Sequence, residues 1–458
     1  MGARLALETS AARLVGSLSR AARRGGGTTL PGKLVWKLDP GALDSLAARL
    51  EQGVVLVSAT NGKTTSTAMA ASILSPSHAL AWNHSGANLA SGVASTLLDA
   101  RDAELGLLEV DEFALPEIVR RTRPRVVSLG NLFRDQLDRY GELEHIAERW
   151  RAAALGLPSE ATLVLNADDP LVASLGEGRE RTLRFGIDDP ARARPALQHA
   201  SDSKYCVRCG APYRYDAAYV GHLGAYRCDA CGHARPGLDV AARDIRLDGL
   251  DGVSFSLETA SESVQARLSV PGLYNVYNAL AAASVAVALG VRLDDVTSGL
   301  ASFRAAFGRF ERIEADGRTV IVLLIKNPAG ANEAIRTLQD GGVPRTLVVA
   351  LNDEIADGRD VSWIWDVDFE PLLEGAERIV ASGGRAAELA LRFTYAGFPR
   401  ERLELVQDLE PALERALELA GPGGEIAVLP TYTAMLRLRA IATERGLTRP
   451  YWERKAAS

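Results

Sequence analysis

Short runs of aliphatic and β-branched residues alternate with longer stretches of helical periodicity along most of the chain. Up to about residue 167, strand-length apolar runs predict buried strands in "GVVLVSA", "ELGLLEV", "RVVSLGN" and "ATLVLNA". Strands separated by helices in this way are typical of a parallel sheet in an α/β fold. After about residue 315 a second series follows, in "TVIVLLIKNP", "TLVVALND", "ERIVASGG", "RLELVQD" and "EIAVLPTYT". The pattern therefore predicts two α/β domains in succession.

The segment between these two series has a different character. Over residues 190–245, Arg, Pro, Tyr, Gly and Cys replace the apolar runs. The stretch "LYNVYNALAAASVAVALG" then predicts a long buried helix, because alanine and leucine favour helix strongly. We place a domain boundary near residues 305–315. The expected organisation is an N-terminal helical segment (1–50), a central α/β domain (51–310) with an insertion at about 202–236, and a smaller Rossmann-like α/β domain (311–458).

Composition excludes several classes of protein. The chain of 458 residues is too long for one core, and 47% hydrophobic and 24% charged residues are typical of globular proteins. With 52 basic against 58 acidic side chains, the net charge of −6 gives no global attraction to nucleic acid. No apolar run approaches the roughly 18 residues that span a bilayer, and arginines interrupt the N-terminus where a signal peptide would lie. We therefore expect a cytoplasmic protein.

The first 38 residues are locally basic. Glu8 is their one acid, against seven basic side chains: Arg4, Arg13, Arg20, Arg23, Arg24, Lys33 and Lys37. One interpretation is a solvated helix face. The other is weak attraction to an anionic membrane or a membrane-held substrate, which would bring the protein to the inner membrane face.

The segment "VVLVSATNGKTTSTAMA" combines a predicted strand, a tight turn and a helix start. This is the context of a phosphate-binding loop, in which backbone N–H groups and the helix N-terminus face the anion. Val57 stands where the G-x-x-x-x-G-K-[ST] pattern has its first glycine, but Asn61 and Gly62 supply turn flexibility. Lys63 would neutralise phosphate charge, and a threonine hydroxyl would bind Mg²⁺. The alternative is an incidental Gly-Lys in a strand–turn–helix.

Acidic residues lie at the end of the predicted strand "ELGLLEV", namely Glu109, Asp111 and Glu112. Carboxylate oxygens are ligands that Mg²⁺ prefers. An acidic strand end alone is more often a solvated loop. Beside a phosphate loop, however, it favours a metal site.

The four cysteines form two C-x2-C pairs separated by 18 residues: Cys206, Cys209, Cys228 and Cys231. This spacing is a strong signal for structural zinc, with four thiolates closing the coordination sphere. A redox pair would be expected at a strand-to-helix junction, which neither C-x2-C occupies. A disulfide framework would be spread through the chain. The neighbouring His222 and His233 are expected at the surface and not among the ligands.

Several motifs, in sequence order, resemble those of the Mur ligases and folylpolyglutamate synthases. "ATNGKTT" resembles their GTNGKTT loop, with Ala59 at the first glycine. "FRDQLDRYGELE" is similar to their DHLDxHG segment, "LYNVYNALAA" to their HNxxNALAA helix, and "FGRFE" to their GRxE. The resemblance covers about residues 30 to 450. It implies an ATP-dependent ligase that activates a carboxylate as an acyl phosphate, which an amine then attacks.

The resemblance also implies roles for individual residues. The nucleotide phosphates would be bound by loop residues, namely Thr60, Asn61, Gly62, Lys63, Thr64 and Thr65. Thr64 and Glu109 would hold Mg²⁺. Asn275 and Asn278 would contact the base or its surroundings, and Asn278 is the better match because it directly precedes "ALAA". Arg309 would contact a phosphate or the hinge.

Departures from the Mur ligase pattern are equally informative. Only some fifty residues precede the loop, so the UDP-sugar domain of the wall-pathway ligases is missing. Gln136 stands where those ligases have a metal-binding histidine, and "ERWR" lacks the lysine that is carbamylated there and helps bind a second Mg²⁺. "IKNPAG" replaces DYAHNPxG, which puts Lys326 into an acidic, aromatic stretch. The expected catalytic centre is therefore altered.

A Mur-like core with a four-cysteine insertion and "KNPAG" resembles the MurT family, the Mur ligase-like subunits of lipid II isoglutaminyl synthase. The resemblance implies that ATP phosphorylates the α-carboxylate of D-glutamate in the lipid II stem peptide. Ammonia then displaces phosphate to give D-isoglutamine. The ammonia would come from a glutamine amidotransferase partner, GatD.

The segment "LNDEIADGRDVSWIWDVDFE" follows a predicted strand of the second domain, at the strand end where α/β proteins bind ligands. A capped helix start with aromatic packing would account for its acids, Asp353, Asp357 and Asp360, and its two tryptophans. The MurT resemblance implies instead that the last Asp of a DGxD motif orients the Cys–His pair of GatD across the interface. Asp360 matches that position.

Two further functions belong to different classes. A stand-alone amino-acid ligase of the folylpolyglutamate type would need no amidotransferase, but the altered DYAHNP segment and the missing lysine argue against it. In a zinc-ribbon binding module, the four cysteines would grip nucleic acid or protein. The net charge and the sparse basic residues between the cysteines, Arg208, Arg214 and Arg227, argue against nucleic acid.

Overall fold

The computed structural model describes residues 30–39, 41–83, 87–135, 143–198, 201–304 and 310–448. Most of the basic N-terminal segment, together with Gln136 and Arg309, lies outside these ranges. No helix within them combines the length and the apolar character needed to cross a membrane.

The first part of the chain builds a nine-stranded sheet and a separate hairpin. Its strands are β1 (Val54–Ser58), β2 (Leu80–Trp82), β3 (Leu105–Glu109), β4 (Val126–Leu129), β5 (Thr162–Asn166), β6 (Thr182–Ile187), β7 (Arg214–Val220), β8 (Leu223–Arg227), β9 (Val240–Leu247), β10 (Val253–Thr259) and β11 (Ser263–Leu268). The order in the large sheet is β11-β10-β9-β6-β5-β4-β1-β3-β2. In that order, all neighbouring strands from β9 through β6, β5, β4, β1 and β3 to β2 are parallel, which confirms the predicted pattern. Strands β9, β10 and β11 are antiparallel neighbours joined by short turns.

Helices cover both faces of this sheet. They are α1 (Leu30–Leu38), α2 (Ala42–Ala47), α3 (Lys63–Leu74), α4 (Ala90–Asp99), α5 (Leu115–Thr122), α6 (Leu143–Leu155), α7 (Pro170–Ser174), α8 (Leu273–Ala288) and α9 (Leu293–Ser302). Val55 and Val57 of β1 join the apolar core that includes α3, α8 and α9. Val54 and Leu56 join the core on the other face, with helices α1 to α6 except α3. Burial on both faces explains why the strands read as continuous apolar runs.

The second part of the chain forms a six-stranded sheet of order β12-β13-β17-β14-β15-β16. Its strands are β12 (Glu311–Ala315), β13 (Arg318–Val322), β14 (Thr346–Ala350), β15 (Arg378–Ser382), β16 (Leu403–Leu405) and β17 (Glu425–Pro430). Its helices are α10 (Pro328–Gly341), α11 (Glu370–Gly375), α12 (Ala386–Tyr395), α13 (Leu409–Ala420) and α14 (Tyr432–Glu444). Short 3-10 helices cover Ser362–Asp366 and Arg400–Arg402, and another, Pro190–Arg192, belongs to the first part of the chain. All neighbours are parallel except β12 and β13.

The carboxyl ends of three central strands meet at one edge of the first sheet. Val57 pairs with Glu109 of β3, and Ser58 pairs with Leu129 of β4. The loops that follow β1, β3 and β4 therefore start side by side. The segment after β13 of the second sheet approaches the same edge, because Lys326 and Asn327 hydrogen-bond to the loop after β1. This shared edge is where α/β proteins bind ligands.

Candidate active site

The loop between β1 and α3 is held in shape by the segment after β4. The backbone N–H of Thr60 donates to the Asn131 carbonyl at 2.9 Å. The backbone N–H of Asn61 donates to Asn131 Oδ1 at 2.9 Å, and Asn131 Nδ2 donates back to the Asn61 carbonyl at 3.0 Å. The hydroxyl of Thr60 accepts from the Phe133 N–H at 3.2 Å. These bonds fix the loop backbone before α3 begins.

Gly62 directly precedes α3 and has a φ of +91°, a conformation that glycine adopts without strain. A Cβ at this position would overlap Asn278 Oδ1 of α8. Asn278 also accepts from Ser66 Oγ at 3.3 Å and donates through Nδ2 to Asn275 Oδ1 at 2.9 Å. Asn275 in turn donates to the Pro271 carbonyl at 2.7 Å. Asn278 therefore packs against the loop. Asn275 holds the Asn278 side chain in place through their hydrogen bond and is not among the residues that line the cleft.

Lys63, the first residue of α3, lies between the loop and the acidic end of β3. Its Nζ donates to the Ala59 carbonyl at 2.6 Å and to Glu112 Oε2 at 2.7 Å. Burial lowers the pKa of Lys63, but the charge and hydrogen bond of Glu112, with the charges of Glu109 and Asp111, outweigh it and raise that pKa above its usual value. Lys63 is therefore a fixed positive charge beside the loop at neutral pH.

Glu109 offers a carboxylate oxygen with no protein partner. Its backbone exchanges two hydrogen bonds of 2.8 Å with the side chain of Asn83, and its Oε1 accepts from Asn88 Nδ2 at 3.1 Å. Its Oε2 is buried and has no hydrogen-bond partner among the described residues. A buried unpaired carboxylate oxygen fits a cation ligand, since otherwise its burial is costly. Thr64 in the first turn of α3 carries a hydroxyl, and carboxylate and hydroxyl oxygens are ligands that suit Mg²⁺.

Two residues of the second domain attach directly to the same loop. Lys326 Nζ donates to the Thr60 carbonyl at 3.0 Å and to Asp135 Oδ2 at 2.6 Å. Asn327 and Asn61 exchange a pair of amide hydrogen bonds of 3.0 and 3.2 Å. The phosphate-binding loop is thus bonded on one side to its own domain and on the other to the second domain.

A cleft of about 770 Å³, including its open mouth, lies between the two domains. Gly62, Thr65 and Asn278 line it from the first domain, and Lys326 and Gly330 line it from the second. Its mixture of apolar walls and convergent polar groups is typical of small-molecule sites.

The β7–β8 hairpin supplies another wall, because Val220 and Leu223 at its tip line the cleft. The prediction that His222 and His233 lie at the surface is wrong, since they are 0% and 7% exposed. His222 turns inward at the tip, where its ring lies 4.8 Å from that of Phe133 and its Nε2 lies 3.3 Å from Asp169 Oδ2. Burial lowers the pKa of His222, but the nearby Asp169 carboxylate outweighs this and raises it.

His233 is buried in the cysteine cluster at the other end of the hairpin. Its Nδ1 lies 2.7 Å from the Tyr213 hydroxyl and 3.8 Å from Cys206 Sγ. The four cysteine sulfurs lie within 4.8 Å of one another, and none forms a disulfide. The two C-x2-C pairs thus converge as the spacing predicts.

The two C-x2-C turns have the same geometry. Gly210 N–H donates to the Cys206 carbonyl at 2.8 Å, and Gly232 N–H donates to the Cys228 carbonyl at 2.9 Å. Both glycines have positive φ, +73° and +74°. Burial opposes ionisation of Cys206, but backbone N–H groups stabilise its thiolate and lower its pKa to about 5. Four convergent sulfurs, one readily ionised, fit a tetrahedral zinc site with no open position.

The three acids after β14 have separate environments. Asp353 forms an ion pair with Arg385 at 2.8 Å. Asp357 is buried and accepts from the Thr433 backbone N–H at 2.8 Å, at the start of α14. Asp360 is exposed, and hydrogen bonds from the Ser362 side chain and from the Ser362 N–H, which lies 2.9 Å from Asp360 Oδ1, lower its pKa.

Asp360 therefore marks the start of the 3-10 helix Ser362–Asp366, and it is not among the residues that line the cleft. The helix also carries Trp365, which is 48% exposed and packs edge-on against the exposed Tyr395 at 5.7 Å. The segment contains a short helix with aromatic packing, but its N-cap residue is Val361, without a side-chain cap, and Asp360 stays exposed to solvent.

Of the predicted site residues, Asn61, Gly62, Thr65 and Asn278 line the cleft. Thr60, Lys63, Thr64 and Glu109 are not among its lining residues. The sequence analysis missed Asn131 and Asn327, which hold the loop, and Val220 and Leu223. Asn131 carries a recognisable signal, because a polar residue directly after a buried parallel strand lies at the ligand-binding edge. The hairpin tip carries none, since only tertiary folding brings it to the cleft.

Comparisons with known proteins agree with this architecture. A model of the Mur ligase middle domain matches residues 57–286, and a model of the MurT ligase C-terminal domain matches residues 324–435. The MurT subunit of the glutamine-hydrolyzing lipid II isoglutaminyl synthase from Streptococcus pneumoniae is 35% identical over 93% of this chain and 95% of that relative. The chain belongs to the MurT family. The MurT subunit from Staphylococcus aureus strain N315 is 30% identical over 93% of this chain and 94% of its own.

Solved structures of Mur ligases share the fold of this MurT chain. A pseudomurein peptide ligase type C from Methanothermus fervidus superposes with a TM-score of 0.69 at 25% identity, covering 88% of this chain and 80% of its own. MurF from Thermotoga maritima in complex with ADP has a TM-score of 0.65 at 17% identity, covering 91% of this chain and 84% of its own. The predicted Mur ligase-like α/β fold is thereby confirmed.

Proposed function

We propose that this MurT subunit uses ATP to amidate the α-carboxylate of D-glutamate in the lipid II stem peptide, with ammonia from a GatD-like glutamine amidotransferase. The observation that carries the proposal is the buried Lys63 between the phosphate-binding loop and the acidic end of β3. Both MurT relatives are named as subunits of a glutamine-hydrolyzing lipid II isoglutaminyl synthase, which supports the substrate and the need for a partner.

ATP binds, in this proposal, with its phosphates on the loop from Thr60 to Thr65. Gly62 and Thr65, at the N-terminus of α3, line the cleft, and a helix N-terminus suits phosphate oxygens. Lys63 exchanges its Glu112 and Ala59 contacts for phosphate oxygens. Asn278 holds the loop in position from α8. Arg309 contacts a phosphate or the hinge by family resemblance alone.

The chemistry proceeds in two displacements. An oxygen of the substrate carboxylate attacks the γ-phosphorus of ATP, the bond from that phosphorus to the β–γ bridging oxygen breaks, and ADP leaves. Ammonia then attacks the acyl carbon, inorganic phosphate leaves with the bonding electrons, and the nitrogen loses a proton. Fixed positive charge stabilises the first step, because negative charge spreads over the phosphoryl oxygens.

Glu109 and Thr64 are the residues that would hold Mg²⁺. The metal would shield the phosphate oxygens and polarise the transferred group. The unpaired Oε2 of Glu109 supports this assignment. In the same way, the four cysteine sulfurs would hold a structural zinc ion, which leaves the hairpin a binding wall and not a reaction centre.

The amide donor requires a partner for a reason visible in the composition. The chain has four cysteines, and all four belong to the cluster, so none is left as an amidotransferase nucleophile. In our proposal the partner supplies the cysteine and histidine, and the exposed Asp360 carboxylate orients that histidine across the interface. Asp360 is accessible for this role, with its pKa lowered by hydrogen bonds from the Ser362 side chain and N–H.

The test is amidation of lipid II followed by mass spectrometry, with ATP and Mg²⁺ present. One tube contains glutamine and the amidotransferase partner, a second contains glutamine alone, and a third replaces glutamine with ammonium chloride. We expect a loss of about one dalton in the first and third tubes only, the mass change when a carboxylic hydroxyl becomes an amide. No change in any tube, with ATP hydrolysed when free amino acids are added, would instead support a stand-alone amino-acid ligase.

A further inference from the structure

Two lysines have the same kind of environment around the phosphate-binding loop. Lys63 bonds to the Ala59 carbonyl and to the Glu112 carboxylate. Lys326, from the second domain, bonds to the next carbonyl along the loop, that of Thr60, and to the Asp135 carboxylate. The loop is therefore flanked by one ammonium group from each domain.

Lys326 remains open to the cleft although it pairs with the Asp135 carboxylate. The Lys326 side chain is 26% exposed and lines the cleft beside Gly62 and Gly330. Its carboxylate partner Asp135 has a second oxygen, Oδ1, that is buried without a hydrogen-bond partner within the described ranges. A carbonyl oxygen is a weaker partner for an ammonium group than a phosphate oxygen is. A nucleotide in the cleft would therefore compete for Lys326.

The ion pair with Asp135 gives the Lys326 charge one role, but that charge is not needed to join the two domains. The neutral Asn61–Asn327 amide pair already joins the loop to the second domain. Half-burying an ammonium group carries a desolvation cost that a neutral donor would avoid. Placed beside the loop, however, a positive charge acts where the transferred phosphoryl group develops its charge.

We propose that Lys326 is a catalytic residue, which the second domain brings to the phosphoryl group as it passes from ATP to the substrate carboxylate. This inference rests on the function proposed above. The Lys326 ammonium stays protonated throughout and exchanges its Thr60 carbonyl contact for an oxygen of the transferred phosphoryl group. It binds that oxygen while the bond to ADP breaks and the bond to the carboxylate oxygen forms, and then in the acyl phosphate. The two domains thus contribute one cation each to the same reaction.

The test compares Lys326→Gln, which keeps a donor for the Thr60 carbonyl but removes the charge, with Lys326→Arg, which keeps the charge. Arg345→Gln, at a side chain of the second domain that is 80% exposed, serves as the control. Each full-length variant is assayed with its partner and with ammonium chloride, using lipid II, for amide formation and for acyl phosphate trapped by hydroxylamine. ATP affinity is measured separately by calorimetry, and folding by thermal unfolding.

We expect Lys326→Gln to slow both acyl phosphate and amide formation by about 10²-fold, while the Kd for ATP changes by less than about threefold. Lys326→Arg should recover a measurable part of the rate. The inference is overturned if Lys326→Gln works as fast as the wild type, or if its loss of rate is matched by an equal loss of ATP affinity.

Failure of this inference is distinguishable from failure of the proposed function. If the wild-type protein forms no amide in any tube, both the proposed function and the role of Lys326 are contradicted. If the wild type forms amide and Lys326→Gln forms it equally fast, only the role of Lys326 is contradicted.

Discussion

The phosphate-binding loop and the Asp360 segment occupy equivalent places, each following the carboxyl end of a parallel strand, β1 and β14. Their surroundings differ sharply. In the loop, even the single residue Asn61 forms hydrogen bonds with both domains, to Asn131 in the first and to Asn327 in the second. Asp360 is exposed and is held by hydrogen bonds from Ser362.

This contrast fits what each region is proposed to bind. A site for a small molecule is completed within the chain, so its polar groups are paired and buried beforehand. A residue that completes the site of another protein stays open to solvent until that protein docks. How far the residues after a strand end are buried therefore indicates whether they bind a small molecule or another protein. Variants of both regions can test this.

Replacing Lys63 should have the largest effect, because the loop then loses its buried positive charge. For Lys63→Met we expect amidation to fall by about 10²–10³-fold with either glutamine or ammonium as the donor. Rates of amide formation from lipid II measure this, with Arg345→Gln, at a side chain that is 80% exposed, as the control. If Lys63→Met affected only the glutamine-driven reaction, the loop would not be the ATP site.

Asp360→Asn should separate the two regions. We expect glutamine-driven amidation to fall by about 10²-fold, because an amide cannot stabilise a histidinium as a carboxylate does. The ammonium-driven rate should stay within about twofold of the wild type, since the cleft is untouched. Glu354→Gln, exposed in the same segment, is the control. Equal losses with both donors would contradict a role confined to the partner.

Gly62→Ala should weaken ATP binding by about tenfold, or ~1.4 kcal/mol, because the new Cβ would displace Asn278. Calorimetric titration with ATP measures this. Gly178→Ala is the control, since Gly178 also has a positive φ, +77°, but a Cβ there meets no atom within 4 Å. If both variants bound ATP equally well, the close approach of Asn278 would be unimportant.

Removing the proposed zinc ion should have a smaller effect on the cleft. Cys209→Ser, or chelation, should loosen the hairpin whose tip residues Val220 and Leu223 line the cleft, and raise the Kd for ATP by about threefold. Metal analysis and ATP titration of the same sample test this. A preparation that holds no zinc, yet gives an unchanged hairpin by hydrogen exchange, would exclude a structural role for the metal.

The smallest expected effect is a pH dependence of stability from the buried His222. The Asp169 carboxylate, with a contribution from Asp202, raises the pKa of His222 in the folded state. The resulting stabilisation is complete below the unfolded value of about 6.5 and disappears as the pH rises through the folded value. The difference in unfolding free energy between wild type and His222→Gln, from urea denaturation, should therefore shrink from pH 5.5 to 8.5. An Asp169→Asn background should remove that trend.

Local signals in the sequence predicted much of the fold and the core of the site. Apolar runs predicted the parallel strands, and the spacing of Cys206 to Cys231 predicted a convergent cluster. The turn "TNGKTT" and the acids after β3 predicted that Lys63 and Glu109 would lie together. In each case the decisive contacts come from residues close in sequence or from the shared edge of a parallel sheet.

The remaining features depend on contacts between distant segments. The reciprocal bonds of Asn61 and Asn327 join residues 266 positions apart, and no local pattern specifies them. His222 was expected at the surface beside the cysteines, yet its ring packs inward against Phe133, a residue distant in sequence. The antiparallel edge of the first sheet was likewise hidden by the parallel pattern that precedes it.

The pair of amide hydrogen bonds between Asn327 and the loop residue Asn61 also has a kinetic consequence. A nucleotide seated on the loop is covered by the domain to which the loop is bonded, so spent ADP leaves only after those bonds break and the domains separate. We expect product release, and not the chemical steps, to limit the rate of turnover. Solvent viscosity would then slow turnover at saturating substrate while leaving the rate of a single enzyme-bound reaction unchanged.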